Sequence, residues 1–269
     1  MLHDKIRVKV FQMQSSDTPE ENLEWILEGI RNTGKDQDVC VFPEYSMLHP
    51  DYSRTDRYIS CAEKTGGNFI SSISAQCRES GVGAIVNFIE KTYGKPYNTS
   101  LSINNMGIIN GRYSKAHLFD AGKYAESSIH SQGNAIPEPF GVSGIDSGIE
   151  ICYDIRFPEL SRIYAMRGAR IIYIQAGFYA GNMKYETWKT LLTARAMENG
   201  VFIAASAQCG EEFVGHSMII GPDGRIISEA GNEPCSISAE LDMNDVEEYR
   251  NNIRVLDHRR LDLYDVSGI

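Results

Sequence analysis

The chain has 269 residues, 42% of them hydrophobic and 23% charged, an ordinary globular balance that can bury a large core without disulfides or metals. A net charge of −10 argues against a nucleic-acid partner, since phosphate binding needs clustered Lys and Arg. No apolar stretch approaches the roughly 18 residues needed to cross a bilayer, so no membrane partner is expected either.

Residues 6–13 read as a first strand, entered directly from Met1-Leu2-His3-Asp4-Lys5 without a secretory leader. Thr18-Pro19-Glu20-Glu21 predicts a helix start, with threonine as N-cap and proline at the first helical position. Leu23, Ile26, Leu27 and Ile30 supply one helical face. Val39-Cys40-Val41-Phe42 is a continuous apolar run ending at Pro43-Glu44, as expected of a strand buried on both faces. Ile70, Ile73 and Cys77 predict a helix, and residues 82–89 a strand. Residues 99–103 and 107–113 flank Asn104-Asn105-Met106 as a hairpin. Residues 122–143 are rich in Gly, Ser and Pro and read as a long loop with some short structure.

Strand 147–152, helix 158–167, strand 169–175, a helix marked by Trp188, Leu191, Leu192 and Arg195, and strand 201–207 follow. Residues 217–220 and 225–229 pair across Gly221-Pro222-Asp223-Gly224, and residues 235–241 form a last strand before a short helix and an extended tail. The alternation of helices and strands implies mixed sheets covered by helices, in a single domain over residues 1–269. The six cysteines, at 40, 61, 77, 152, 209 and 235, show neither a C-x-x-C pair nor zinc-finger spacing. Reduced thiols in a cytoplasmic protein are the expectation, with every cysteine but Cys152 a packing residue.

Three ionisable residues share a placement. Glu44 ends the run 39–42, Lys115 follows the strand ending at Tyr113, and Cys152 ends the strand 147–152. Strand ends are where open α/β folds put their ligands. Spacing alone does not bring the three together. Each also has a plain structural reading: a turn acid, a solvated lysine and a small buried hydrophobe.

The surroundings of these residues are more specific. Phe42-Pro43-Glu44-Tyr45, Lys115-Ala116-His117-Leu118-Phe119-Asp120 and Ile151-Cys152-Tyr153-Asp154-Ile155-Arg156-Phe157-Pro158-Glu159-Leu160 resemble, in order, the three signature motifs of the nitrilase superfamily of carbon–nitrogen hydrolases. The segment Thr187–Asn199, the pair Gly215-His216-Ser217 and Pro222–Ile226, and the tail Arg259–Tyr264 extend the likeness over nearly the whole chain. The resemblance implies a four-layer α-β-β-α sandwich and a homodimer or higher homo-oligomer. It also implies a cysteine hydrolase without cofactor or metal, acting on a small-molecule amide.

In that reading Cys152 is the nucleophile, Glu44 the general base and Lys115 the oxyanion partner. The thiolate is the reactive form of cysteine, so a base to take its proton and a cation beside it are both useful. The backbone N–H of Tyr153 is the implied second oxyanion donor. Glu126 matches a second glutamate that relatives use to hold the lysine, although Ala121-Gly122-Lys123-Tyr124 before it is shorter than usual. The loop from Gly177, Phe178 and Tyr179 to Met183 is expected to line the substrate pocket. His117 and His216 take structural roles, and Arg156 and Glu159 make buried or interfacial polar contacts. The closest likeness is to omega-amidases, which hydrolyse the terminal amide of dicarboxylic acid monoamides. A nitrilase, an N-carbamoyl amino acid hydrolase or a non-catalytic binding protein on the same fold are the alternatives, and the trio alone does not separate them.

Overall fold

The structure, a computed structural model, describes residues 4–51, 54–122 and 124–264. The first half contains β1 (Lys5–Gln12), α1 (Pro19–Thr33), β2 (Val39–Val41), α2 (Thr55–Ser60), α3 (Asn68–Ser80), β3 (Gly83–Glu90), β4 (Tyr97–Ile103), β5 (Ile109–Ser114), β6 (Asp120–Ala121) and β7 (Tyr124–Ala125). The second half contains β8 (Phe140–Val142), β9 (Ile145–Ile151), α4 (Pro158–Met166), β10 (Ile171–Ala176), α5 (Lys184–Asn199), β11 (Phe202–Ala207), β12 (Met218–Ile220), β13 (Ile226–Glu229), β14 (Cys235–Asp242) and α6 (Met243–Asn252).

Two six-stranded sheets result, ordered β14-β1-β2-β3-β4-β5 and β13-β12-β11-β10-β9-β8. Each has three parallel strands at its centre (β1, β2, β3 and β9, β10, β11) and antiparallel strands outside them. The burial of β2 on both faces explains its apolar run. Val39 and Val41 belong to the core shared with the second sheet, while Cys40 and Phe42 join Ile26, Ile30, Phe69, Ile70 and Ile73 of α1 and α3. On the other side Leu160, Tyr164, Trp188, Leu192 and Ala196 of α4 and α5 cover Ile149, Tyr173 and Phe202. The layers are therefore helix, sheet, sheet, helix, the four-layer sandwich that the sequence implies.

Polar side chains tie the two sheets together. Gln175 Nε2 donates to the Phe42 carbonyl, Gln208 Nε2 to the Glu44 carbonyl at 2.8 Å, and the Ser217 N–H to Gln12 Oε1 at 2.8 Å. In a dry interior such contacts fix one register rather than add much net stability. Here they fix where Glu44 lies relative to the second sheet.

Some local expectations need correction. Thr18 makes no side-chain cap on α1; its N–H instead meets Ser16 Oγ at 3.0 Å. The short helix α2 gives no strong periodic signal and is absent from the sequence reading. Cys235 is exposed and so is not a packing residue, whereas the half-buried Cys61 does pack against the core beneath α1 and α3. The strand-like opening at residues 1–3 and the tail at 265–269 lie outside the described residues.

Candidate active site

Glu44, Lys115 and Cys152 converge although they are far apart in sequence. Glu44 lies just beyond β2 and Cys152 just beyond β9, at the carboxyl ends of central parallel strands, while Lys115 directly follows β5. Both strand exits turn sharply. Cys152 takes φ 47° and Tyr45 φ 61°, left-handed values that cost a non-glycine residue about 1–3 kcal/mol and persist only where the surroundings hold them.

Asp154 is the holder at Cys152. Its buried carboxylate accepts from the Ile151 N–H at 3.0 Å, the Tyr113 hydroxyl at 2.9 Å and the His117 N–H at 3.1 Å, and His117 Nδ1 lies 2.7 Å away. One acid thus clamps the 3-10 turn Cys152–Arg156 to the segment bearing Lys115. His117 is used up in this contact and in stacking on Phe157 at 3.7 Å. His216 pairs with Glu229 at 3.0 Å.

The Lys115 ammonium is buried between two carboxylates. Its Nζ donates to Glu44 Oε1 and to Glu126 Oε2, both at 2.8 Å. Asn98 Nδ2 bridges the same acids, 2.8 Å from Glu44 Oε1 and 3.1 Å from Glu126 Oε1. Glu44 Oε2 accepts the Gly177 N–H, and Glu126 Oε2 also accepts the Phe119 N–H, each at 2.8 Å. Asn87 Nδ2 orients Asn98 through its Oδ1 at 2.7 Å. Sequence reading missed Asn98, Asn87 and Asp154. Only Asn87 carried a signal, as a polar residue inside the apolar run 84–89; the strand that holds Asn98 and the strand before Asp154 contain several other polar residues.

These contacts set the proton distribution. Burial, opposed by Lys115 and reinforced by Glu126, holds the Glu44 carboxyl above the usual range. Glu126 is lowered: burial works against its ionisation, but Lys115, His130 and the N–H donors outweigh it. Lys115 stays firmly cationic, because Glu126 and Glu44 overcome the cost of burying it. Burial and the hydrogen-bonded Glu44 raise the Cys152 thiol well above its usual range, and the opposing pull of Lys115 does not restore it. Cys152 is therefore a thiol at rest beside a carboxylate suited to accept its proton, not a preformed thiolate that Lys115 stabilises.

A cavity of about 20 Å³ opens on these groups, room for about one water. Its walls include Lys115, Cys152, Tyr153, Gly177, Phe178 and Tyr179, so the anticipated pocket loop does reach the thiol. Glu44 and Glu126 lie behind this wall, fully buried. Arg156 and Glu159, expected in buried or interfacial polar contacts, are both exposed, so neither contact is a buried one, and Arg156 lies on the cavity wall. Among the described residues no cluster of His, Cys, Asp and Glu could hold a metal ion, and no helix is long and apolar enough to cross a membrane.

A buried thiol with an adjacent carboxylate and a fixed ammonium, at the carboxyl ends of a double-sheet sandwich, is a site suited to acyl transfer. Comparison with known proteins gives the class. Residues 7–251 match the carbon–nitrogen hydrolase family. The chain is 32% identical over 244 residues to the deaminated glutathione amidase of Escherichia coli O157:H7, covering 90% of this chain and 92% of that one. It is 31% identical over 275 residues to omega-amidase NIT2 of Xenopus tropicalis, covering 98% of each. The crystal structure of the Caenorhabditis elegans NitFhit protein superposes with a TM-score of 0.91 at 29% identity, over 98% of this chain and 67% of that one. The chain belongs to the carbon–nitrogen hydrolase family, in the omega-amidase-like branch of the nitrilase superfamily, and is an amidase.

Proposed function

We propose that Cys152, Glu44 and Lys115 carry out this hydrolysis on a small amide bearing a carboxylate at its far end, an omega-amidase-like substrate. The observation that carries the reading is the Lys115 ammonium held between Glu44 and Glu126 at 2.8 Å each, with the Cys152 thiol bonded to Glu44.

The thiol proton passes to Glu44 as sulfur attacks the carbonyl carbon. Lys115 and the Tyr153 N–H, at the start of a helical turn where such donors are unpaired within the turn, stabilise the tetrahedral oxyanion. Collapse expels ammonia, which takes the proton from Glu44, and leaves a thioester on Cys152. Water attacks the thioester with Glu44 again as base, giving the carboxylic acid and the free thiol. Glu126 holds Lys115 in place and takes no proton. Gly177, Phe178 and Tyr179 bound the substrate, and Arg156 on the cavity wall pairs with its carboxylate. The mechanism uses no metal or organic cofactor.

The family likeness and the commonness of two-fold assemblies support a homodimer, and the absence of a C-x-x-C or disulfide-like cysteine pattern supports a cytoplasmic location. We take the whole chain as one hydrolase domain. The test is ammonia release from a panel of dicarboxylate monoamides, neutral amides, nitriles and N-carbamoyl amino acids. Preference for the monoamides supports the reading. Turnover of a nitrile, or carbon dioxide release from a carbamoyl compound, at a higher kcat/KM would replace it.

A further inference from the structure

The cavity carries more positive charge than one carboxylate needs. Lys115 offers none of it to a distant group, because Glu44 and Glu126 already bracket its ammonium. Two other cations line the same cavity, Arg156 from the turn after Cys152 and Lys184 from the first residue of α5. Among the described residues neither is within ion-pair distance of a carboxylate. Both lie against one ring instead: the Arg156 guanidinium is 5.6 Å and the Lys184 ammonium 5.4 Å from the centre of Phe178.

A cation on an aromatic face at a partly open site gains only about 0.5–1 kcal/mol, so each can leave the ring for an anion at little cost. Two like charges held against one ring also repel each other, and a single carboxylate between them leaves one charge uncompensated. Lys184 is half-buried, and the positive end of a 16-residue helix adds to the potential there.

We propose that Arg156 and Lys184 form a two-cation subsite and that the preferred substrate is an amide whose far end carries two anionic groups. The proposal rests on the reading of the Cys152 side of the cavity as the end that takes the amide. Lys184 acts here as a specificity-determining residue: it separates dianionic from monoanionic amides, while Arg156 serves both.

Binding tests this without requiring turnover. Cys152→Ala protein is titrated calorimetrically with glutarate monoamide, which has one carboxylate, and with tricarballylate monoamide, which has two. The dianion is expected to bind about tenfold more tightly, a difference of about 1.4 kcal/mol, and the gap should narrow as salt is raised. Lys184→Met on the same background reduces the ratio to about threefold or less, whereas Lys184→Arg retains it. Equal affinities in the Cys152→Ala protein, or a ratio that Lys184→Met leaves unchanged, overturns the proposal. Ammonia release by Cys152→Ala is scored separately: it counts against Cys152 as nucleophile, and the binding ratio still decides the subsite.

Discussion

Glu126→Gln keeps the shape of a buried side chain and removes its charge. All three of its hydrogen-bond neighbours are donors: Lys115 Nζ and the Phe119 N–H at Oε2, and Asn98 Nδ2 at Oε1. Whichever way a glutamine amide is turned, its NH₂ faces at least one N–H. One buried donor is left unpaired, which costs about 1–3 kcal/mol. Lys115 also loses one of two countercharges. Stripping a buried ion of its only partner costs about 3–5 kcal/mol, but Glu44 remains 2.8 Å away, so the total should lie near the lower bound.

A loss of about 3 kcal/mol lowers Tm by roughly 6–12 °C in a chain of this size. Activity falls further, because Lys115 is drawn towards Glu44 and away from the oxyanion. Losing one such donor costs about 10²–10³ in kcat. The pH profile gives a second, independent signature. The negative charge of Glu126 helps to raise the Glu44 carboxyl, so removing it lets Glu44 ionise at lower pH and moves the acidic limb of kcat/KM downward. Initial-rate ammonia release across pH, with a melting curve on the same sample, measures all three. A kcat within about threefold of the parent, with the limb unmoved, would refute the role given to Glu126.

Other residues give further tests. Burial raises the Glu150 carboxyl to about 8 from an ordinary 4.5, and among the described residues its only hydrogen bond comes from Ser161 Oγ. The folded chain holds this proton between those values and the unfolded chain does not, so the acid lowers stability increasingly as pH rises through that window. Glu150→Gln should therefore gain Tm over the parent progressively from about pH 5 to about pH 8; a gap that does not change with pH contradicts this. Gly177→Ala places a Cβ 2.5 Å from the Tyr45 ring and displaces the N–H that holds Glu44. A fall in kcat of about tenfold or more is expected, and parental kinetics would show that the Gly177 contact does not position Glu44. Because the Cys152 thiol is raised, its alkylation by a neutral haloacetamide, followed on the Cys152 peptide, should keep rising to about pH 9. A plateau near pH 7 would reveal a preformed thiolate.

The sequence shows most clearly those features that local chemistry decides. The run Val39–Phe42 is continuous because β2 is buried on both faces, and the motifs around Glu44, Lys115 and Cys152 are specific as an ordered set. Features decided by long-range packing are hidden. Asp154 gathers donors from Tyr113 and His117, which no spacing rule connects to it. Asn98 looks like a strand breaker until Glu44 and Glu126 are placed on either side of it. Thr18 has the residue type of a cap but its backbone is engaged with Ser16. The full burial of Cys152 beside Glu44, which keeps its proton on at rest, is another long-range feature that no spacing shows.

In the proposed mechanism, catalysis passes through an acyl group on Cys152. Intact-protein mass during steady-state turnover of a dicarboxylate monoamide, followed by peptide mapping, tests it most directly. An adduct of the acyl mass is expected on the Cys152 peptide, with none in Cys152→Ala and no ammonia release by that variant. Undiminished ammonia release by Cys152→Ala, or an acyl group found on another residue, would contradict it.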